Sequence, residues 1–147
     1  MLQLGSTYLI TKDINKSILF YEKLLEMKVS AQAYDRWAQF DFNGHCIALF
    51  NPKYDEAFIK TNGSEQHYNQ EYIKNFKERT IHYGNNVVLN FYIEDLNKEY
   101  ERIKELKIGK VTEIMYLNIS SPYYHFLLDD PDGNTIEITG NYIQSKQ

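Results

Sequence analysis

Glu137 and His125 are the two side chains whose types and spacing could carry chemistry in this sequence. Period-2 alternation puts Ile136 and Ile138 on one face of a strand, so Glu137 must point to the opposite face. The same pattern puts His125 on that face of a neighbouring strand. Glu137 could remain solvated, bind a cationic or hydroxyl-bearing ligand, or act as a general base. His125 could be a hydrogen-bonded wall residue or a proton carrier, and together the two side chains could ligate a metal ion.

Aromatic residues give the second chemical signal, with 13 Tyr, 8 Phe and 1 Trp in 147 residues. Tyrosine and tryptophan rings combine flat apolar area with a polar tip, which suits a planar or cationic small molecule. The alternative is that the rings only fill the trough of a sheet. Alternation brings several of them to the face of Glu137, and the predicted ligand-binding set is Tyr8, Trp37, Gln39, Asn90, Tyr92, Tyr123, His125 and Glu137.

The composition excludes several classes of protein. A formal net charge of −4 argues against a protein that follows nucleic-acid phosphates. No apolar run approaches the roughly 20 residues that a membrane helix needs, so no membrane partner is predicted. A single cysteine, Cys46, excludes an intramolecular disulfide and favours the cytoplasm. Its thiol could be reactive, or buried and inert.

The predicted secondary-structure elements that position these residues occur twice in the sequence, as an internal repeat. Asp13-Ile14-Asn15-Lys16 and Asp95-Leu96-Asn97-Lys98 each follow a strand-like stretch and open a helical pattern, with the aspartate at the N-cap. Each half continues with further strand candidates, so the pattern predicts β-α-β-β-β in both. The predicted strands are Thr7–Thr11, Lys28–Tyr34, Trp37–Phe42 and His45–Phe50, then Val87–Ile93, Val111–Leu117, Tyr123–Leu128 and Thr135–Thr139.

One segment has no counterpart in the other half. We predict a single domain with module 1 at about 1–51, a connecting segment at about 52–84, module 2 at about 85–140, and a polar, frayed tail at 141–147. Gly63 and Ser64 are expected to cap a connecting helix from about Glu65 to Arg79. Its aromatic side is formed by Tyr68, Tyr72 and Phe76, with Ile73.

Two motifs in this order resemble the vicinal oxygen chelate superfamily, which includes glyoxalase I, extradiol dioxygenases and bleomycin resistance proteins. The motifs are the opening at Lys12–Tyr21 and Asp-Pro-Asp-Gly-Asn-x-Ile-Glu-Ile at Asp130–Ile138. The resemblance implies an α+β fold in which two βαβββ modules form a curved mixed sheet around a central cleft, with helices on the outer face. It also implies a homodimer, since the family commonly pairs modules between chains.

Family metal ligands would fall at Ser6, Ala48, Val88 and Glu137, and only Glu137 keeps a typical ligand type. We therefore predict no cofactor and a metal-independent protein of the bleomycin-resistance type that binds an aromatic or cationic small molecule, without making or breaking a bond. The alternative is a metal-dependent glyoxalase-like lyase, isomerase or dioxygenase, with a divalent metal displaced to His125 and Glu137. A third hypothesis is an interaction module whose cleft is plugged by Tyr68, Tyr72 and Phe76 lying over Trp37.

Overall fold

The computed structural model describes residues 1–145 as an α+β protein with two four-stranded mixed sheets. The contacts divide the chain into two compact units. One unit holds Met1–Glu22 with Glu26–Tyr83, and the other holds Lys23–Leu25 with the chain from Gly84 onward. Each unit contains one β-α-β-β-β module, so the internal duplication predicted from the sequence is confirmed. The central cleft shared by the modules stays a prediction.

Module 1 contains β1 (Thr7–Ile10), α1 (Ile14–Leu25), β2 (Ala31–Ala33), β3 (Trp37–Phe42) and β4 (His45–Phe50). The strand order is β1-β4-β3-β2, with β1 parallel to β4 and the other pairs antiparallel. Asn43 and Gly44 turn the β3–β4 hairpin with φ angles of 49° and 75°, the left-handed values that a two-residue hairpin turn requires.

The core of module 1 lies on the face of the sheet that α1 covers. Phe40 and Leu49 are fully buried on this face, and Tyr21 of α1 packs its ring against Phe40 at a centroid distance of 6.4 Å. Asp13 caps the helix, because its side chain accepts a hydrogen bond from the backbone N–H of Lys16 at 3.2 Å.

Module 2 repeats this design with β5 (Val88–Asp95), α4 (Leu96–Leu106), β6 (Met115–Asn118), β7 (Pro122–Asp129) and β8 (Thr135–Asn141). The strand order is β5-β8-β7-β6, with β5 parallel to β8. Asp95 caps α4 by accepting from the backbone N–H of Lys98 at 3.0 Å. Tyr100 of α4 meets the buried Phe126 edge to face at 4.9 Å, so the helix covers the same face as in module 1.

The connecting segment differs from its prediction. It forms α2 (Pro52–Ile59), a short 3₁₀ turn (Ser64–Gln66) and α3 (Gln70–Glu78), so the single helix over 65–79 was wrong. Asn69 caps α3 by accepting from the N–H of Tyr72 at 2.9 Å, whereas Gly63 begins only the 3₁₀ turn. The sequence analysis missed α2, although Asn51 at its N-cap and Pro52 in its first turn are typical start signals.

Two strands begin three or more residues later in the chain than predicted. β2 does not extend back to Lys28, since the N–H of Val29 donates to the Glu22 carboxylate at 3.3 Å. β6 begins at Met115 rather than Val111, which forms only an isolated bridge to Leu128.

The predicted frayed tail is ordered at its start. Asn141 is the last residue of β8, and Ile143 exchanges two backbone-to-side-chain hydrogen bonds with Asn97, at 2.8 and 2.9 Å. The prediction for residues 146 and 147 lies outside the described residues. No helix in the described part of the chain is long and apolar enough to cross a membrane.

Candidate functional site

The register of module 2 places the predicted site residues on the face of the sheet that α4 does not cover. Asn90 of β5 pairs with Glu137 of β8, and Tyr92 pairs with Thr139, which in turn pairs with His125 of β7. Register partners point to the same side of a sheet. These five side chains from three neighbouring strands therefore share one surface, as alternation predicts.

Glu137 is held in place by Asn90. The Asn90 side-chain amide donates to Glu137 Oε1 at 2.7 Å across the parallel β5–β8 pair. The Glu137 side chain keeps 25% of its surface exposed, so the carboxylate is anchored without being closed off from a ligand. An oriented, partly exposed carboxylate can pair with an ammonium group or accept from a hydroxyl.

His125 lies beside the carboxylate but does not bond to it. Its Nε2 is 4.0 Å from Glu137 Oε2, longer than a hydrogen bond, and the residue is buried. Its Nδ1 is also buried and has no hydrogen-bond partner within the described residues. The Tyr123 ring covers it at a centroid distance of 5.1 Å. His125 therefore forms part of the floor beneath the surface that a ligand would meet.

A cavity of about 660 Å³ opens over this face. Its volume falls within the range of small-molecule sites. Its lining includes Asn90, Tyr92, Tyr123, Glu137 and Thr139, and we call the cavity the module 2 pocket. The Tyr92 and Tyr123 rings are 66% and 37% exposed, so aromatic surface is available beside the carboxylate.

The other three predicted ligand residues lie in module 1 and are bonded to one another. The indole N–H of Trp37 donates to Gln39 Oε1 at 2.9 Å, and the Gln39 amide donates to the Asp41 carboxylate at 3.0 and 3.2 Å. Tyr8 meets Trp37 edge to face at 5.2 Å. The polar groups of Trp37 and Gln39 are therefore already used, and they belong to a different module from the residues of the module 2 pocket.

The donor set does not fit the metal site implied by the family. Ala48 and Val88 carry no donor atom, and Ser6 precedes β1, where the register does not fix its direction. Among the described residues, no three His, Cys, Asp or Glu side chains converge. His125 and Glu137 alone would supply two ligands, whereas a catalytic zinc site uses three from the protein.

The proposed plug is not formed as predicted. Tyr68 and Tyr72 direct their hydroxyls to Asp55 of α2, with O–O distances of 2.7 and 2.5 Å. Within residues 1–145, Trp37 has a ring contact with Tyr8 and none with Tyr68, Tyr72 or Phe76. These rings belong instead to a cluster that the connecting segment builds around Asp55.

Sequence reasoning missed this cluster. Asp55 is fully buried and receives two N–H bonds from Arg36, at 2.8 and 3.2 Å, besides the two tyrosine hydroxyls. Burial by itself would raise the pKa of Asp55, but the hydrogen bonds from Arg36, Tyr72 and Tyr68 outweigh it and hold that pKa below its ordinary value. The same pairing raises the pKa of Arg36. No spacing in the sequence marks these residues as partners.

Cys46 has the properties of an inert thiol. It pairs in register with Asp41 and is free of disulfides. Burial, with a smaller effect of the Asp41 carboxylate, raises the pKa of the thiol and lowers its thiolate fraction.

Three solved structures illustrate the similarity of this fold to known proteins. Lactoylglutathione lyase from Agrobacterium tumefaciens is 16% identical, with a TM-score of 0.64 and coverage of 96% of this chain and 95% of that one. A glyoxalase-related enzyme from Fulvimarina pelagi is 14% identical, with a TM-score of 0.64 and coverage of 96% and 89%. A glyoxalase/bleomycin resistance protein/dioxygenase from Nocardioides is 15% identical, with a TM-score of 0.64 and coverage of 99% and 89%. At these identities the likeness shows the fold alone.

A search of curated proteins finds no significant match. The sequence model of the Glyoxalase/Bleomycin resistance protein/Dioxygenase superfamily matches residues 3–138, nearly the whole chain. Together with the two βαβββ modules, this match shows that the chain belongs to the glyoxalase/bleomycin resistance protein/dioxygenase superfamily, the vicinal oxygen chelate family that the sequence motifs resemble.

Proposed function

We propose that this protein binds an aromatic or cationic small molecule in the module 2 pocket and needs no metal ion to do so. The observation that carries the proposal is the Glu137 carboxylate, anchored by Asn90 at 2.7 Å and still partly exposed between tyrosine rings. In this scheme no bond is made or broken. The rings supply contact area and the carboxylate supplies charge complementarity.

Charge favours a cation among the possible ligands. Among the described residues that line the module 2 pocket, Glu137 is the one charged side chain. An ammonium group near Glu137 would also lie near the faces of Tyr92 and Tyr123, which attract cations through their π systems. A carboxylate-bearing ligand would instead meet repulsion, so the pocket should reject anions.

The donor set supports metal independence. Glu137 Oε1 accepts a hydrogen bond from the Asn90 amide. The other potential metal ligand beside the carboxylate is His125 Nε2, which lies 4.0 Å from Glu137 Oε2. No third His, Cys, Asp or Glu joins them in the described chain. Divalent ions of the zinc group bind weakly to two protein ligands, so a resident metal is not expected here.

The second candidate is a metal-dependent lyase, isomerase or dioxygenase with a displaced site. The observation that favours it is the 4.0 Å between His125 Nε2 and Glu137 Oε2, because the two potential ligand atoms lie close together without a hydrogen bond between them. The Agrobacterium structure is named a lactoylglutathione lyase, and that activity is a hypothesis for this chain.

Thermal unfolding with three matched probes tests the proposal. The probes are 2-naphthylmethylammonium, the neutral 2-naphthylmethanol and the anionic 2-naphthoate, and each variant is compared with the wild type. A ligand present at 100 times its Kd stabilises the folded state by about 2.7 kcal/mol. We expect the ammonium compound to raise Tm more than the neutral alcohol does, and Glu137→Gln to reduce that rise, whereas any rise caused by 2-naphthoate should not depend on Glu137.

The matched control is Glu105→Gln, which removes the same charge from an exposed position on α4. It should leave the ligand-induced rise unchanged. Equal rises in the wild type and Glu137→Gln would refute binding at Glu137.

A further inference from the structure

We propose that the connecting segment forms a second small-molecule site, one that takes an aromatic carboxylate. The site is a cavity of about 910 Å³, here called the segment pocket. It is formed by α2, α3 and the β2–β3 turn, and all of its lining residues belong to the first unit. The residues that define its chemistry are Tyr34, Arg36, Tyr54, Phe58, Tyr68 and Tyr72. The proposal is independent of the function proposed for the module 2 pocket.

Stacked rings form the walls of the segment pocket. Tyr34, Tyr54 and Phe58 form one ladder, with interplanar angles of 15° and 9° between successive rings. Tyr68 stacks on Tyr72 at 21°. Phe58 and Tyr68 join the two groups edge to face, with centroids 5.8 Å apart. A planar ligand would find aromatic surface on both sides, which is a geometry that favours aromatic compounds.

The buried Asp55 holds the side of the pocket that Arg36, Tyr68 and Tyr72 form. Its carboxylate is fully buried and accepts from Arg36, Tyr68 and Tyr72, so each donor is fixed in direction. The backbone of the turn is fixed as well, because Asn51 N–H donates to the Arg36 carbonyl at 2.9 Å. This side of the pocket is thus preformed, and little of its ordering entropy remains to be lost on binding.

Arg36 supplies the charge that a ligand would meet. Its side chain is 33% exposed and lines the pocket, whereas the Asp55 carboxylate has no exposed surface. Nε and Nη2 donate to Asp55, Nη2 also donates to the Tyr72 hydroxyl at 3.1 Å, and one face of the guanidinium rests on Phe50 at 4.9 Å. Nη1 makes no hydrogen bond to any residue that the structure describes. None of the described residues that line the pocket carries a carboxylate, so its accessible polar edge is a cationic donor that suits a ligand carboxylate.

Calorimetric titration with 2-naphthoate and 2-naphthamide tests this inference, because the two probes differ only in the charged group. We expect the wild type to bind the carboxylate roughly tenfold more tightly than the amide, since a hydrogen bond to a charged group is stronger than a neutral one. Equal affinities, or tighter binding of 2-naphthylmethylammonium at the same site, would overturn the proposal.

Tyr34→Ala locates the site without disturbing Asp55. Tyr34 is 79% exposed and its ring contacts Tyr54, so the variant should unfold at the wild-type temperature. We expect it to weaken naphthoate binding several-fold, whereas Tyr116→Ala, at an exposed tyrosine of module 2, leaves it unchanged. Unchanged binding in Tyr34→Ala would overturn the proposal. A dimer in sedimentation that Tyr34→Ala dissociates would also overturn it, because the rings would then form a contact between copies.

Discussion

The side-chain amide of Asn90 donates to Oε1 of Glu137 at 2.7 Å, joining two residues 47 positions apart in the sequence. The bond crosses the parallel β5–β8 pair, in which the two residues are direct register partners. It occupies one carboxylate oxygen and leaves Oε2 for a ligand. The relationship therefore sets the direction of the negative charge in the module 2 pocket.

Removing the anchor should weaken binding without unfolding the protein. Asn90 is exposed, so Asn90→Ala should change the free energy of unfolding by less than about 0.5 kcal/mol. We expect the Kd for 2-naphthylmethylammonium to rise by roughly two- to tenfold, the equivalent of one ordinary hydrogen bond. Isothermal titration measures the change, and Asn86→Ala, at another exposed asparagine, is the matched control. An unaltered Kd in Asn90→Ala would show that the anchor does not matter for binding.

The Asp55 cluster should stabilise the fold. Asp55→Ala leaves the Arg36 guanidinium without its carboxylate, and we expect a loss of about 3–5 kcal/mol in the free energy of unfolding. Tyr72→Phe removes one of several donors and should cost about 1–2 kcal/mol. Tyr34→Phe is the control, since that exposed hydroxyl has no partner among residues 1–145. Urea unfolding measures the loss of stability in the three variants, which should be largest for Asp55→Ala, smaller for Tyr72→Phe and smallest for Tyr34→Phe. A Tyr72→Phe protein as stable as Tyr34→Phe would contradict this order.

Acid should selectively weaken the same cluster. Burial raises the pKa of Asp55, but the hydrogen bonds from Arg36, Tyr72 and Tyr68 together leave it below its ordinary value. A carboxyl group whose pKa is lower in the folded state than in the unfolded state binds protons more readily when the protein is unfolded. Its stabilising effect is therefore complete above the unfolded pKa of about 3.9 and is lost as the pH falls through the folded value.

The pH prediction concerns the difference in stability between the wild type and Asp55→Asn, a variant that cannot titrate at this position. We expect that difference to be constant from pH 7 to about pH 5 and to shrink below about pH 4. Urea unfolding at a series of pH values measures it. A difference that grows on acidification would mean that the sign of the pKa shift is wrong.

The facing of the site residues was predictable from the sequence because strand side chains alternate with a period of two. Once Ile136 and Ile138 are assigned to the core, Glu137 must lie on the other face, and alternation along β5 and β7 places Asn90 and His125 in the same way. The hairpin at Asn43–Gly44 was predictable for a local reason, since both residues tolerate positive φ. These inferences need only neighbours in the chain.

The connecting segment could not be predicted in the same way. In the sequence Asp55 resembles any exposed polar residue. Its burial depends on Arg36 from the β2–β3 turn, on Tyr68 before α3 and on Tyr72 in the first turn of α3. Those partners are chosen by tertiary packing, which no local spacing records. The anchor between Asn90 and Glu137 also needed the register of a parallel pair, which alternation alone leaves free to slip.

Titration of 2-naphthylmethylammonium into the wild-type protein, with and without excess EDTA, tests the central claim most directly. The account predicts the same Kd in both conditions, with binding weakened in Glu137→Gln, because the anchored carboxylate meets the ligand itself. Binding that disappears in EDTA and returns with one equivalent of zinc, nickel, iron or manganese would contradict the account and favour a metal at His125 and Glu137.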